Sequence, residues 1–182
     1  MVDEVISTGI IRHPLSCRQR DIALSAAAEW VAERSVSVIL VARNASSSPL
    51  CSRNNVKSLD LDWRDPLPFV SAIVEASMFE SVQLAVIWIH GSGVEAAHGL
   101  LPALSQRPRL IVQVRGSQAL HDIGTRQDPP FEMRGRARLI TVTLGAKWEA
   151  GRKRWLTWDE ISAGVVTAIN ARESQVIGSL SP

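Results

Sequence analysis

The side chains of this 182-residue chain that could do chemistry gather just after runs of branched apolar residues. His90 opens "HGSG" at the end of "LAVIWI", and an imidazole titrating near neutrality suits proton transfer. Its structural alternative is a hydrogen bond to a neighbouring loop that holds the turn. Thr8 and Gly9 end another apolar run, where a glycine-rich phosphate turn would stand, but the next glycine is Gly91. Bulkier side chains in that connection keep a pyrophosphate further from the backbone. Arg12, Arg18 and Arg20 bring charge to the same place, at the start of a predicted helix whose free amides also favour a phosphate. Arg43-Asn44, Asp62-Trp63, His90-Gly91-Ser92-Gly93, Gly116-Ser117 and Gly145 follow five further runs, so polar or glycine residues stand at every end a ligand cleft would need.

Other reactive groups have ordinary readings beside chemical ones. Cys17, close to Arg18 before a helix, would have a stabilised thiolate, but no histidine is paired with it. His13 and His121 fall on predicted loops and His98 on a predicted helix; Lys147 and Lys153 are cleft candidates or surface residues. Trp148, Trp155 and Trp158 form either a stacking wall or a contact with a core or a second subunit. The histidines and cysteines show no metal-ligand spacing, and no metal is expected.

These residues need a scaffold, and the composition supplies one. Apolar residues make up 46% and charged residues 21%, the balance of a soluble globular domain. The chain has the length of a single domain, expected over 1–172 with a loose tail over 173–182. No apolar run approaches the roughly 18 residues of a membrane span, and the start does not read as a secretory signal, so a cytoplasmic protein without a membrane partner is expected. A formal charge of +2 argues against nucleic acid as an obligatory partner. The alternating Arg134, Arg136 and Arg138 and the consecutive Arg152, Lys153 and Arg154 read as solvated rims or as phosphate contacts to a small-molecule ligand.

The runs "EVISTGII", "VSVILVA", "LAVIWI", "LIVQV" and "LITVTL" are near-continuously apolar, as strands buried on both faces of a parallel sheet are. "KSLDLDW" adds a smaller strand, joined to the second by a loop at 45–48 with no helical pattern. Helices are expected from about Arg18 to Arg34, after Asp65-Pro66, over Val94 to Leu104 with Pro102 unsettling its last turn, and after the capping box "TWDE" at Thr157–Glu160. Alternating strands and helices predict an α/β fold: a three-layer, Rossmann-like, mostly parallel sheet of about six strands with helices on both faces. Ligands in such sheets sit beyond the carboxyl ends of the strands.

With these strand ends in place, the chain resembles a small, divergent member of the short-chain dehydrogenase/reductase family, which binds NAD or NADP. "GRKRWLTWDEISAGVVTAI" is similar to the closing segment of a group of compact bacterial proteins labelled as short-chain-dehydrogenase-like. The resemblance implies that Arg43 meets the adenosine phosphate of NADP, that Asp62 contacts adenine, and that "HGSG" replaces the family's Asn-Asn-Ala-Gly turn. Guanidinium suits the first role because it offers paired donors to a phosphate. Thr8, Gly9, Asn44, Trp63, His90 and Gly91 complete the implied cofactor site, Ser117 takes the place of the substrate-orienting serine, and a homodimer is the implied assembly.

The family's usual proton relay also needs a tyrosine, and this chain contains none. The interval between Ser117 and Arg138 leaves no room for the long helix that carries it. Three functions follow: an atypical NAD(P)-binding oxidoreductase, with His90 and Ser117 as its catalytic candidates; a Rossmann-type binding or partner subunit without redox chemistry; and a non-redox reaction with His90 as acid or base.

Overall fold

The computed structural model describes residues 5–9, 24–78, 82–89, 93–106, 109–116 and 136–180. Its centre is a parallel sheet of seven strands. In chain order these are β1 (Val5–Gly9), β2 (Val38–Ala42), β3 (Val56–Asp60), β4 (Leu84–Trp88), β5 (Leu110–Gly116), β6 (Arg138–Leu144) and, beyond a hairpin of β7 (Ala146–Glu149) and β8 (Arg152–Trp155), β9 (Gln175–Ile177). The spatial order is β3-β2-β1-β4-β5-β6-β9. All six neighbouring pairs are parallel. The chain runs outward from β1 through β2 to β3 and then returns to the other side of β1. The strand order therefore reverses between β1 and β4, where Gly9 lies opposite Trp88.

Near-continuous apolar strands are explained by burial on both faces. In β4, Leu84, Val86 and Trp88 enter the core cluster that contains Val31 of α1 (Ser25–Ala32) and Val165 of α4 (Trp158–Ala171). Ala85 and Ile87 enter the cluster that holds Phe69 and Ile73 of α2 (Pro66–Met78) and Leu100 and Leu104 of α3 (Val94–Ser105). Alternate side chains point to opposite faces, so each face must be covered by its own helices.

No α-helix joins β2 to β3; two 3-10 turns, Ala45–Ser47 and Pro49–Ser52, make that connection. The capping box forms as read. Thr157 Oγ1 accepts from the Glu160 amide at 3.2 Å, and the Glu160 carboxylate accepts from the Thr157 amide at 2.9 Å. Helix α3 continues past Pro102 to Ser105 because that proline lies on an exposed face. No helix among the described residues is long and apolar enough to cross a membrane.

Three expectations are corrected. The sheet has seven strands rather than about six, because residues 175–177 of the expected loose tail pair with β6 from Val142 to Leu144. Ile177 supplies the apolar anchor, packing against the core cluster of that face. The hairpin was not expected either. Its polar strands carry no continuous apolar signal, and its tight turn uses positive φ at Ala150 (50°) and Gly151 (73°), the geometry that matches strand twist. Helix α1 is described from Ser25 to Ala32, and Arg34 lies beyond its end.

Candidate functional site

The carboxyl edge of the sheet is built by the segments that leave β2, β3 and β4. Asp60, the last residue of β3, accepts from the Ser46 amide at 2.9 Å and from Ser46 Oγ at 2.6 Å. Those bonds hold its carboxyl below the usual aspartate range and tie the β2–β3 connection to the end of β3. Leu61 then donates to the Ala42 carbonyl at 3.0 Å, so the two chains leave the sheet together.

Two residues further on, Asp62 folds back on its own turn, accepting from the Arg64 amide at 3.0 Å and from Arg64 Nε at 2.9 Å. Hydrogen bonding to Arg64 depresses its carboxyl, and the charge of Arg43 adds a smaller contribution. Trp63 is only 5% exposed, and the Arg43 guanidinium lies over its ring, 5.3 Å from the centroid. An attraction of this kind is worth about 0.5–2 kcal/mol and fixes the orientation of the fork.

The segment after β4 closes on the same ring. Gly93 caps the start of α3, and a Cβ there would overlap Ile89 Cγ2 and come within 2.7 Å of Trp63 Cδ1. Its φ of −96° suits any residue, so the glycine is required by space and not by backbone conformation. Arg43, Asp62, Trp63 and Gly93 thus form one continuous wall at the ends of three strands. Asn44 is exposed at the head of the first 3-10 turn.

On the other face, Trp88 ends β4 and meets Trp158 edge to face, with ring centroids 6.0 Å apart. Trp158 opens α4 and is partly exposed, which brings an aromatic surface close to the carboxyl end of β4. Trp148 and Trp155 stand apart from that pair on the hairpin. The register places them with Lys153 on one hairpin face and Lys147, Glu149 and Arg154 on the other. The charged face is engaged: Glu160 accepts from Lys147 Nζ at 2.6 Å and from both Arg154 terminal nitrogens at 2.8 Å, while Arg154 also reaches Glu149 at 2.7 Å. Its carboxyl is held well below the usual glutamate range, first by Arg154 and then by Lys147. Lys147 is therefore an ion-pair partner that clamps the hairpin to the start of α4.

The structure brings together Arg43, Asp62 and Trp63 among the residues read from the sequence. Thr8 and Gly9 end β1, beside the reversal of strand order, and their backbone alone is described. Arg12, Cys17, Arg18, His13, His90, Gly91, Ser117 and His121 lie outside the described residues. Gly93 was legible as the last residue of the "HGSG" strand end, whereas sequence reasoning missed Trp88, which reads only as one more strand residue. No family model, curated protein or solved structure matches the chain.

Proposed function

We propose that this chain is an atypical NAD(P)-binding protein of short-chain-dehydrogenase type, with a three-layer, doubly wound, Rossmann-like architecture. The observation that carries the reading is the all-parallel order β3-β2-β1-β4-β5-β6, which reverses between β1 and β4, the place where such sheets bind ligands, with the Arg43–Trp63 wall at the ends of the neighbouring strands. A fold alone names no ligand, so the residues decide. Arg43 and Asn44 would hold the adenosine end and its phosphate, Asp62 would face the adenine, and Thr8 with Gly9 would border the pyrophosphate. Arg43 suits this role because a guanidinium offers paired donors to a phosphate. A bound nicotinamide supplies a hydride donor or acceptor.

A second reading has its own observation. The chain has no tyrosine, so the family's acid–base relay is missing, and a binding or partner subunit that holds the dinucleotide without transferring hydride accounts for this directly.

Titration with NADPH, followed by tryptophan fluorescence and calorimetry, tests both. Arg43→Ala is expected to weaken NADPH by about 10- to 150-fold, the value of a hydrogen-bonded contact to a charged group of about 1.5–3 kcal/mol, and NADH by less than about threefold. Absence of binding by every dinucleotide sinks the proposal. Steady oxidation of NADPH by the purified chain with a carbonyl substrate removes the second reading.

A further inference from the structure

At the opposite edge of the sheet lies a cleft of about 480 Å³, within the size range of small-ligand sites. It opens between the amino ends of β4, β5 and β6, marked by Leu84, Leu110 and Arg138, and the carboxyl ends of α1 and α4. Five arginines line it: Arg34, Arg109, Arg136, Arg138 and Arg172. No aspartate or glutamate is among its described lining residues.

Part of this charge has a structural role. Arg34 donates to the Trp30 carbonyl at 3.0 Å and lies over the Trp30 ring, as basic residues do at helix carboxyl ends, and Glu33 offsets its charge at 3.1 Å. Arg172 likewise stands at a helix carboxyl end, as the C-cap of α4, and Arg109 has a partner within the fold. Arg136 and Arg138 make no ion pair among the described residues and follow no helix end. The whole chain carries a formal charge of only +2, so Arg136, Arg138 and Arg172 in one concavity with no carboxylate among its described lining residues are a strong local concentration. Like charges gathered in one concavity repel one another and focus a positive field, which an entering anion relieves.

We propose that this cleft binds a compact polyphosphate ester, with its phosphoryl groups between Arg138, Arg136 and Arg172 and its organic body against Val31, Leu84, Leu110 and Ile169. Planar guanidinium forks pair two donors with each phosphate, and the apolar wall removes a small ring from water. The site is separate from the crevice at the carboxyl edge, and it stands whether or not a dinucleotide binds there.

Inorganic tripolyphosphate is the probe. Calorimetry on the full chain is expected to show one-to-one binding that weakens as salt is raised, with a higher melting temperature in the complex. Arg138→Gln and Arg172→Gln, both at exposed positions, are each expected to lower the affinity at least about tenfold, the loss of one charge-assisted contact, while Arg152→Gln on the hairpin leaves it unchanged. Three results overturn the proposal: no binding by the natural chain, cleft variants that bind as it does, or single-stranded RNA displacing tripolyphosphate with higher affinity. The last would make the cleft part of a nucleic-acid surface.

Discussion

Gly93→Ala tests the wall at the carboxyl edge at its tightest point. The added Cβ would overlap Ile89 Cγ2 and lie 2.7 Å from Trp63 Cδ1 and 3.0 Å from Trp63 Cγ. Neither neighbour can yield cheaply: Ile89 is β-branched and stiff at χ1, and Trp63 is packed in the same core cluster as Phe69 and Ile73. Overpacking of this kind costs about 1–3 kcal/mol. Alanine recovers about 0.4–1 kcal/mol by restricting the unfolded chain, since φ of −96° and ψ of 11° are accessible to it. The balance is a destabilisation of about 1–2 kcal/mol, or about 2–8 °C in melting temperature for a chain of this size.

Gly99→Ala is the control. It lies in the interior of α3, its Cβ would come no nearer than 3.1 Å to a neighbour, Val70 Cγ2, and the helix gains about 0.5–1 kcal/mol in propensity. Its melting temperature is expected to stay level or rise. Thermal melts by circular dichroism compare the two, and tryptophan emission reports displacement of the Trp63 ring. Because Arg43 rests on that ring, Gly93→Ala is also expected to weaken NADPH more than NADH. A Gly93→Ala chain that melts at or above the natural temperature, or that matches Gly99→Ala, refutes the packing argument.

Glu160 makes stability depend on pH. Its carboxyl lies below the ordinary value of 4.5 in the fold, so its ion pairs contribute fully above that value and are lost as pH falls through the folded value. Glu160→Gln keeps an acceptor for the capping box, and its melting-temperature deficit at pH 7 is expected to shrink progressively below about pH 4.5; a deficit independent of pH contradicts the assignment. High salt is expected to narrow the same deficit, since these side chains remain partly open to solvent. The anchoring of β9 is tested at Gly164, where a Cβ would overlap Ile177 Cδ1 and come within 2.5 Å of its Cγ1. Gly164→Ala is expected to stabilise an Ile177→Ala chain by about 0.5–1 kcal/mol through helix propensity but to give no gain beside the natural Ile177, and equal effects in both backgrounds exclude the contact.

The fold was legible wherever its signal is local. Strands buried on both faces lose the alternating pattern and read as apolar runs, which is why β2, β4 and β5 stand out unaided. The capping box at Thr157–Glu160 is equally local, because both of its hydrogen bonds close within one helical turn. The hairpin and β9 gave no such signal. Gln175–Ile177 is three residues long, and only the open edge of β6 makes it a strand; the same three residues elsewhere would be a tail.

The candidate sites divide in the same way. That polar residues follow each strand was readable along the chain, and so was the absence of tyrosine. That Arg43 lies on Trp63, and Gly93 against both Trp63 and Ile89, depends on where β2, β3 and β4 end relative to one another, a relation set by register and crossover. The basic cleft shows this most fully. Arg34, Arg109, Arg136, Arg138 and Arg172 are scattered over three-quarters of the chain, and only the alternation that includes Arg136 and Arg138 stood out along it. Sequence by itself determined which segments could be buried, because burial follows from the chemistry of adjacent residues. Tertiary structure alone decided which charges meet, because the sheet order carries strands and helix ends distant in sequence to one edge.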